Sequence, residues 1–483
     1  MDENGVKRQV GRSLAWVGGA TMAISVLDVL ASILLTVFWL SASDLGIAAI
    51  ALWLFPVITA FAEAGLNASI VQRDTASEEA ISSLFWLNVA LSVVAGAVVL
   101  LSADLLAGEA TAANMLRAFS IKVLLDNTYF VPAALMRREL RFRELSIIRV
   151  VANVVLVGGK VGFAAAGFGP WCFLFGLYGH MIVNAIGTQL VHPWRPRLLF
   201  RWRECAAMVR FGWKTALREM LFHLYVNADY RVVYAFFGAA ATGVYRFAYE
   251  RILDPVRAVS LVVTDVAFPT FSRLATRHAA VVEQFLRFTR ANLLAVAPAM
   301  ALVALGAEDL VRLVWPDLQW RGSVTPMQIL CLVGVLRSLS FVLPALFDGL
   351  GRPIVPLLYT LLAAVVLPGS YILCAWLLGP RFGMVSVAIA WAVGYPVAFA
   401  VLLGLALREL RLTFGQYLRA VAGVPACIAG ASVVAYGARA LAAPLPPGGR
   451  LAVVTVVFAA ILLPLLARVE GITPRAVLQS VRG

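Results

Sequence analysis

The sequence predicts an all-α polytopic membrane protein of about fourteen transmembrane helices, with two six-helix lobes around a central cavity and two further C-terminal helices. Three observations predict it. The 483 residues are 61% hydrophobic and only 14% charged, against about 25% charged in soluble domains, and the mean hydropathy is +0.88. Fourteen apolar runs are long enough to span a bilayer, which takes about 20 residues. Lysine and arginine collect in alternate connections between those runs, as orientation in a membrane requires.

The runs lie at 13–40, 45–66, 81–102, 114–136, 146–168, 170–190, 208–237, 243–269, 284–306, 324–347, 354–378, 383–405, 418–440 and 450–470. The first follows a basic tail and is too long for the core of a cleaved signal peptide, so it reads as a retained helix. With the N-tail on side one, that side holds Lys7, Arg8, Arg12, Arg73, RRELRFRE (137–144), PWRPRLLFRWRE (193–204), Arg273, Arg277, Arg352, Arg408, Arg411, Arg419, Arg468, Arg475 and Arg482. The other side holds Arg312, Arg321, Arg381 and Arg450. Both termini are then expected on the cytoplasmic side. The longest outer connection, 307–323, is too small for a folded domain.

Several function classes drop out. The net charge of +14 is spread among apolar segments, which argues against a nucleic-acid face. The five cysteines and four histidines are dispersed, so no metal or disulfide set is expected. There is no phosphate-binding glycine loop and no catalytic triad; no cofactor and no catalytic residue are expected.

A weak internal repeat divides the chain. Arg12 to Gly46 and Arg210 to Gly243 each span one helix and a turn, SASDLGI and AAATGVY, and each following helix carries a proline, Pro56 and Pro255. Paired halves around a shared site are a transporter architecture. The expected domains are 1–207, 208–405 and an added pair of helices in 406–483.

Charges inside the spans mark the candidate site, because a charge at the bilayer centre costs about 3 kcal/mol unless it faces protein or water. In span seven Arg210, Lys214 and Arg218 fall within roughly 80° on a helix, and Tyr225 and Asp229 continue the stripe. Span five places Arg149, Asn153 and Lys160 on one face; Lys160 has no acidic residue a turn away. In span four Lys122 and Asp126 stand four residues apart, the spacing of a structural ion pair. Arg246, Glu250, Asp254 and Arg257 form a ladder in span eight that can neutralise itself, and Pro255 beside Asp254 gives it hinge character. Asp28, Glu63, Asp265 and Arg337 are isolated; Asp28 and Asp229 are the candidate carboxylates for ion coupling. The set Lys160, Lys214, Arg218, Arg149 and Lys122 suits an anionic ligand, since charge-assisted hydrogen bonds to phosphate oxygens offset desolvation.

Several stretches carry a family resemblance. ASIVQRDTASEEAISSLFWLN (68–88), VPAALMRRELRFREL (131–145), NADYRVVYAFFGAAATGVYRFAYERILDP (227–255), AFP (267–269) and FDGLGRP (347–353) stand in an order and spacing that resemble the Wzx-type polysaccharide flippases of the MOP (multidrug/oligosaccharidyl-lipid/polysaccharide exporter) superfamily. The resemblance covers about residues 8–410. It implies two six-helix lobes around a central cavity, and alternating-access flipping of polyprenyl-pyrophosphate-linked oligosaccharide for exopolysaccharide, capsule or O-antigen synthesis. The implied partners are an undecaprenyl-type lipid-linked glycan, membrane lipid, and polysaccharide polymerase and export machinery. Span one lacks the deep basic residue of some lipid-linked sugar flippases. The competing readings are a multidrug/cation antiporter of the same superfamily, which the basic stripe disfavours, a membrane polymerase or glycosyltransferase, which would carry a longer outer loop, and a non-transporting scaffold, which gains nothing from buried charge.

Overall fold

The computed structural model describes residues 3–63 and 77–469, with side chains for 16, 18–61, 77–206, 208–210, 212–213 and 216–469. The stretch 68–76, Arg73, Arg475 and Arg482 therefore lie outside the described residues, and so do the side chains of Lys7, Arg8, Arg12, Glu63 and Lys214.

The described residues form sixteen α-helices and one short 3-10 turn, with no strand among them. In chain order they are α1 (Glu3–Phe38), α2 (Ala42–Leu52), α3 (Phe55–Glu63), α4 (Glu78–Ala107), α5 (Ala110–Leu125), α6 (Asn127–Arg138), α7 (Phe142–Ala165), α8 (Trp171–Val191), α9 (Trp202–Leu274), α10 (His278–Val314), α11 (Val324–Gly349), α12 (Ile354–Phe382), α13 (Val385–Glu409), α14 (Phe414–Val421), α15 (Gly423–Leu441) and α16 (Pro447–Val469). Eleven helical segments are long and apolar enough to cross a membrane. The other three expected spans, 114–136, 208–237 and 243–269, fall on helices that are interrupted or more heavily charged.

Each interruption has a local cause. Ser41 caps α2 in a capping box with Asp44, its Oγ accepting from the Asp44 N–H at 3.1 Å. α2 does not continue into Pro56, which has no N–H and crowds the carbonyl four residues back; it ends at Leu52, and α3 begins at Phe55 with the proline in its first turn. Pro255, its counterpart in the repeat, is instead carried inside α9. Between α5 and α6 the side chains of Asn127 and Thr128 donate to the carbonyls of Leu124 (3.0 Å) and Leu125 (2.8 Å). They compete there with the main-chain ladder, and the helix steps at Asp126. Within α9 the backbone turns at Gly238, with φ +81° and ψ −178°. That region is costly for any residue with a Cβ.

The family-like connections are helix stops. After α6, Leu140 takes φ +57° and the Arg141 N–H returns to the Met136 carbonyl at 2.9 Å. After α11, Gly351 takes φ +74° and the Arg352 N–H returns to Phe347 at 2.8 Å. Both closures satisfy carbonyls that a helix end leaves open.

Two compact units result, Met1–Tyr234 and Ala235–Gly483. In the first, α7 packs on α8 through glycines. A Cβ on Gly176 would meet the Leu156 carbonyl at 2.7 Å and the Lys160 Cγ at 2.9 Å, and one on Gly159 would meet the Gly176 Cα at 3.1 Å. Small residues allow this close backbone approach. In the second, fully buried Trp391 packs against Tyr371 (5.4 Å between ring centroids) and Tyr395 (5.9 Å). The last two helices are tied to α10 by charge: Asp309, fully buried, takes Arg439 of α15 and Arg450 of α16, each at 2.9 Å.

Candidate functional site

The register of α7 on α8 decides which polar groups meet. Gly176 lies opposite Leu156 and Lys160, Gly179 opposite Val155, and Gly187 opposite Ile148. The helices are therefore antiparallel, and His180 falls between the levels of Lys160 and Arg149. Those two cations are roughly 16 Å apart along α7. His180 lies within the electrostatic reach of both, and of Lys122 on α5. The Asn184 side-chain amide stands 3.3 Å from the His180 ring nitrogens and donates to the His180 carbonyl at 2.9 Å. Three of the five sequence-predicted cations thus act electrostatically on one histidine.

Their settings differ. Lys122 is 3% exposed and bonded to both carboxylate oxygens of Asp126, at 2.8 and 2.7 Å. Its ammonium also lies 4.8 Å from the centre of the Phe55 ring, a favourable position for a cation. The Lys160 ammonium is 5.7 Å from the centre of the Phe173 ring, and the side chain is partly exposed. Arg149 is exposed. Between them Asn153, buried, donates to Asp28 of α1 at 3.2 Å. Within this group the three cations Lys122, Arg149 and Lys160 stand against the two carboxylates Asp126 and Asp28.

The span-seven candidates sit on α9, outside that group. Arg218 is half-buried; Asp229 is fully buried, and its Oδ1 accepts from the Tyr230 N–H at 2.8 Å. Arg210 is exposed.

In the second unit the ladder extends beyond its own helix. Arg246 pairs with Glu250 through its Nε. Asp254 lies within the reach of Glu250, Arg257, Arg246 and also Arg337 of α11. Arg337 is 4% exposed, donates to the Tyr249 hydroxyl at 3.0 Å and lies 5.2 Å from the centre of the Trp391 ring. Arg251, which the ladder spacing passes over, lies 3.6 Å from the centre of the Phe247 ring and 4.9 Å from that of Trp315. An arginine held by aromatic faces is a structural cation more than a ligand site.

Sequence reasoning missed His180, Arg251 and the tie of Arg337 to the ladder. A signal for His180 exists in retrospect: Gly176, Gly179, His180 and Asn184 share a face, and small residues beside a polar pair mark a tight polar helix contact.

A family model described as "Polysaccharide biosynthesis protein" matches residues 34–325. The teichuronic acid biosynthesis protein TuaB of Bacillus subtilis is 26% identical over 331 residues, 65% of this chain and 67% of that protein. The lipopolysaccharide biosynthesis protein WzxC of Escherichia coli is 26% identical over 304 residues, 61% of each. The chain thus spans between about three fifths and two thirds of the length of these relatives. Among solved structures, the lipid II flippase MurJ in an inward closed conformation superposes with a TM-score of 0.74 at 12% identity, over 93% of this chain and 97% of that one. At that identity the likeness is one of fold.

Proposed function

The chain belongs to the polysaccharide biosynthesis protein family, and we propose that it flips polyprenyl-pyrophosphate-linked oligosaccharide across the bacterial inner membrane by alternating access, as a transporter and not an enzyme. The observation that carries the reading is that Lys122, Arg149 and Lys160 all act electrostatically on His180, with Arg149, Lys160 and His180 on helices long and apolar enough to cross a membrane. A pyrophosphate brings about two negative charges into a region where bare charge is costly, and fixed cations convert that cost into charge-assisted hydrogen bonds. The names of the relatives, which concern teichuronic acid and lipopolysaccharide, and the fold shared with a lipid II flippase point to the same substrate class.

In this reading Lys214 and Arg218 meet the headgroup near the cytoplasmic end of span seven. Arg149, Lys122 and Lys160 carry it onward, the glycan stays in water and the prenyl tail stays in lipid. No ATP-binding motif is present in the sequence. The driving force is then ion coupling, with Asp28 and Asp229 as the carboxylates, or removal of product by polymerisation. The ladder of Arg246, Glu250, Asp254 and Arg257, with Pro255, acts as a structural network and hinge.

The test is made in cells. Deleting the gene should leave lipid-linked glycan on the cytoplasmic face and strip the matching polysaccharide from the surface, and re-expression should restore it. Unchanged surface polysaccharide and no accumulated lipid-linked precursor would end the reading. The arginine distribution also supports a topology of fourteen spans with both termini in the cytoplasm. Reporter fusions after residues 106, 240 and 445 should report outside and those after 140 and 200 inside; inversion at 140 or 200 excludes it.

A further inference from the structure

The Asp126 carboxylate holds Lys122 through both oxygens. The residue also lines a small cavity of about 20 Å³, together with Thr59 of α3, Asn88 and Ser92 of α4, Val123 of α5, and Asn127, Tyr129 and Phe130 of α6. That volume admits one body the size of a water molecule. Its wall is rich in oxygen. Asn88 is 3% exposed; its amide nitrogen donates to Asn127 Oδ1, while its own Oδ1 is buried with no hydrogen-bond partner. Thr59 Oγ1 is likewise buried and unpaired. Ser92 Oγ accepts from Asn127 Nδ2 at 2.9 Å and keeps a lone pair. Tyr129 is a further hydrogen-bonding partner of Asp126. Asn127 therefore spends its amide on its neighbours, and the side-chain oxygens of Asn88, Thr59 and Ser92 keep lone pairs able to accept or coordinate.

The geometry points to a site for a monovalent, sodium-sized cation on Asp126, Asn88 Oδ1, Thr59 Oγ1 and Ser92 Oγ, in competition with the Lys122 ammonium for the same carboxylate. Hard oxygen donors without nitrogen or sulfur suit a hard cation. One carboxylate neutralises one positive charge, whereas a divalent ion would leave a buried excess. The same reasoning forbids the ion and the lysine from holding Asp126 together, so an arriving ion releases Lys122. Lys122 already acts on His180 along with Lys160 and Arg149, so its release from Asp126 leaves its charge uncompensated within the basic group. An anion that draws Lys122 away from Asp126 must then raise the affinity for the ion by the same factor. The exchange would link an ion gradient to anion capture inside one unit. That use rests on the transport reading; the site itself does not.

The experiment uses purified full-length protein in detergent, with radiolabelled sodium retention and the Tm shift on replacing choline chloride by sodium chloride at constant ionic strength. Wild-type protein should retain sodium and show a sodium-specific rise in Tm. Lys122→Met removes the competitor and should bind sodium about ten-fold more tightly, within the usual range of such couplings. Asp126→Asn should abolish retention. Asn88→Ala, which leaves the ion pair in place, should weaken it and serves if Asp126→Asn does not fold. No sodium-specific retention in either wild type or Lys122→Met overturns the proposal and assigns the cavity to water. Equal retention in wild type and Asp126→Asn, or weaker retention in Lys122→Met, overturns it as well. Protein that retains sodium while moving no lipid-linked glycan would sink the transport reading and leave the site standing.

Discussion

Lys160→Gln is expected to slow the delivery of lipid-linked glycan to the outer face by about ten-fold or more at normal protein level, and Lys160→Arg to keep most of it. A ten-fold change corresponds to about 1.4 kcal/mol, within what one charge-assisted hydrogen bond contributes. Lys160 is singled out by where it stands. Lys122 already spends its charge on Asp126, and Arg149 lies far along α7 from Lys160. The Lys160 stem lies close against Gly176 of the neighbouring helix. Glutamine keeps part of the stem and a donor but loses the charge, while arginine keeps both. Measured flipping of Lys160→Gln equal to wild type would remove this residue from the anion path and leave it a packing role beside Phe173.

The helices were legible in the sequence because membrane spans are written in composition and length, which need no knowledge of neighbours. The interruptions were not read from the sequence. Pro56 served there as a mark of the repeat, and its counterpart Pro255 is carried inside α9, so a proline alone does not announce a break; the step at Asp126 arises from two side chains, Asn127 and Thr128, that bond back to the main chain, as many such residues in helices do without interrupting them. The charged candidates were visible one helix at a time. Periodicity places Arg149, Asn153 and Lys160 on one face; it cannot say that His180 of the next helix lies opposite, because that depends on the glycine register. The pairing of Asp309 with Arg439 and Arg450 is further from reach. The partners lie 130 residues or more apart, and nothing local distinguishes those arginines from others at helix ends.

The register itself can be tested at Gly176. Gly176→Val should lower stability by about 1–3 kcal/mol, the usual penalty for forcing atoms into a filled contact, and Tm by roughly 5 °C. The cost follows from what the new Cβ meets. The Leu156 carbonyl at 2.7 Å belongs to a helix backbone and cannot rotate aside, and the Lys160 Cγ at 2.9 Å is the inner part of a side chain whose head would have to move with it. Separating α7 from α8 is the remaining relief. That shift carries Lys160 and Arg149 away from His180, so the variant should also lose flipping with both cations still present. Gly162→Ala on α7 is the matched control: a Cβ there meets nothing within 4 Å, and alanine favours the helix by up to about 1 kcal/mol. The expected pattern is a Gly162→Ala protein at least as stable as wild type and a Gly176→Val protein both less stable and slow. Equal melting of the two variants would mean that α7 and α8 do not meet through Gly176, and with it would go the placement of His180 between Lys160 and Arg149.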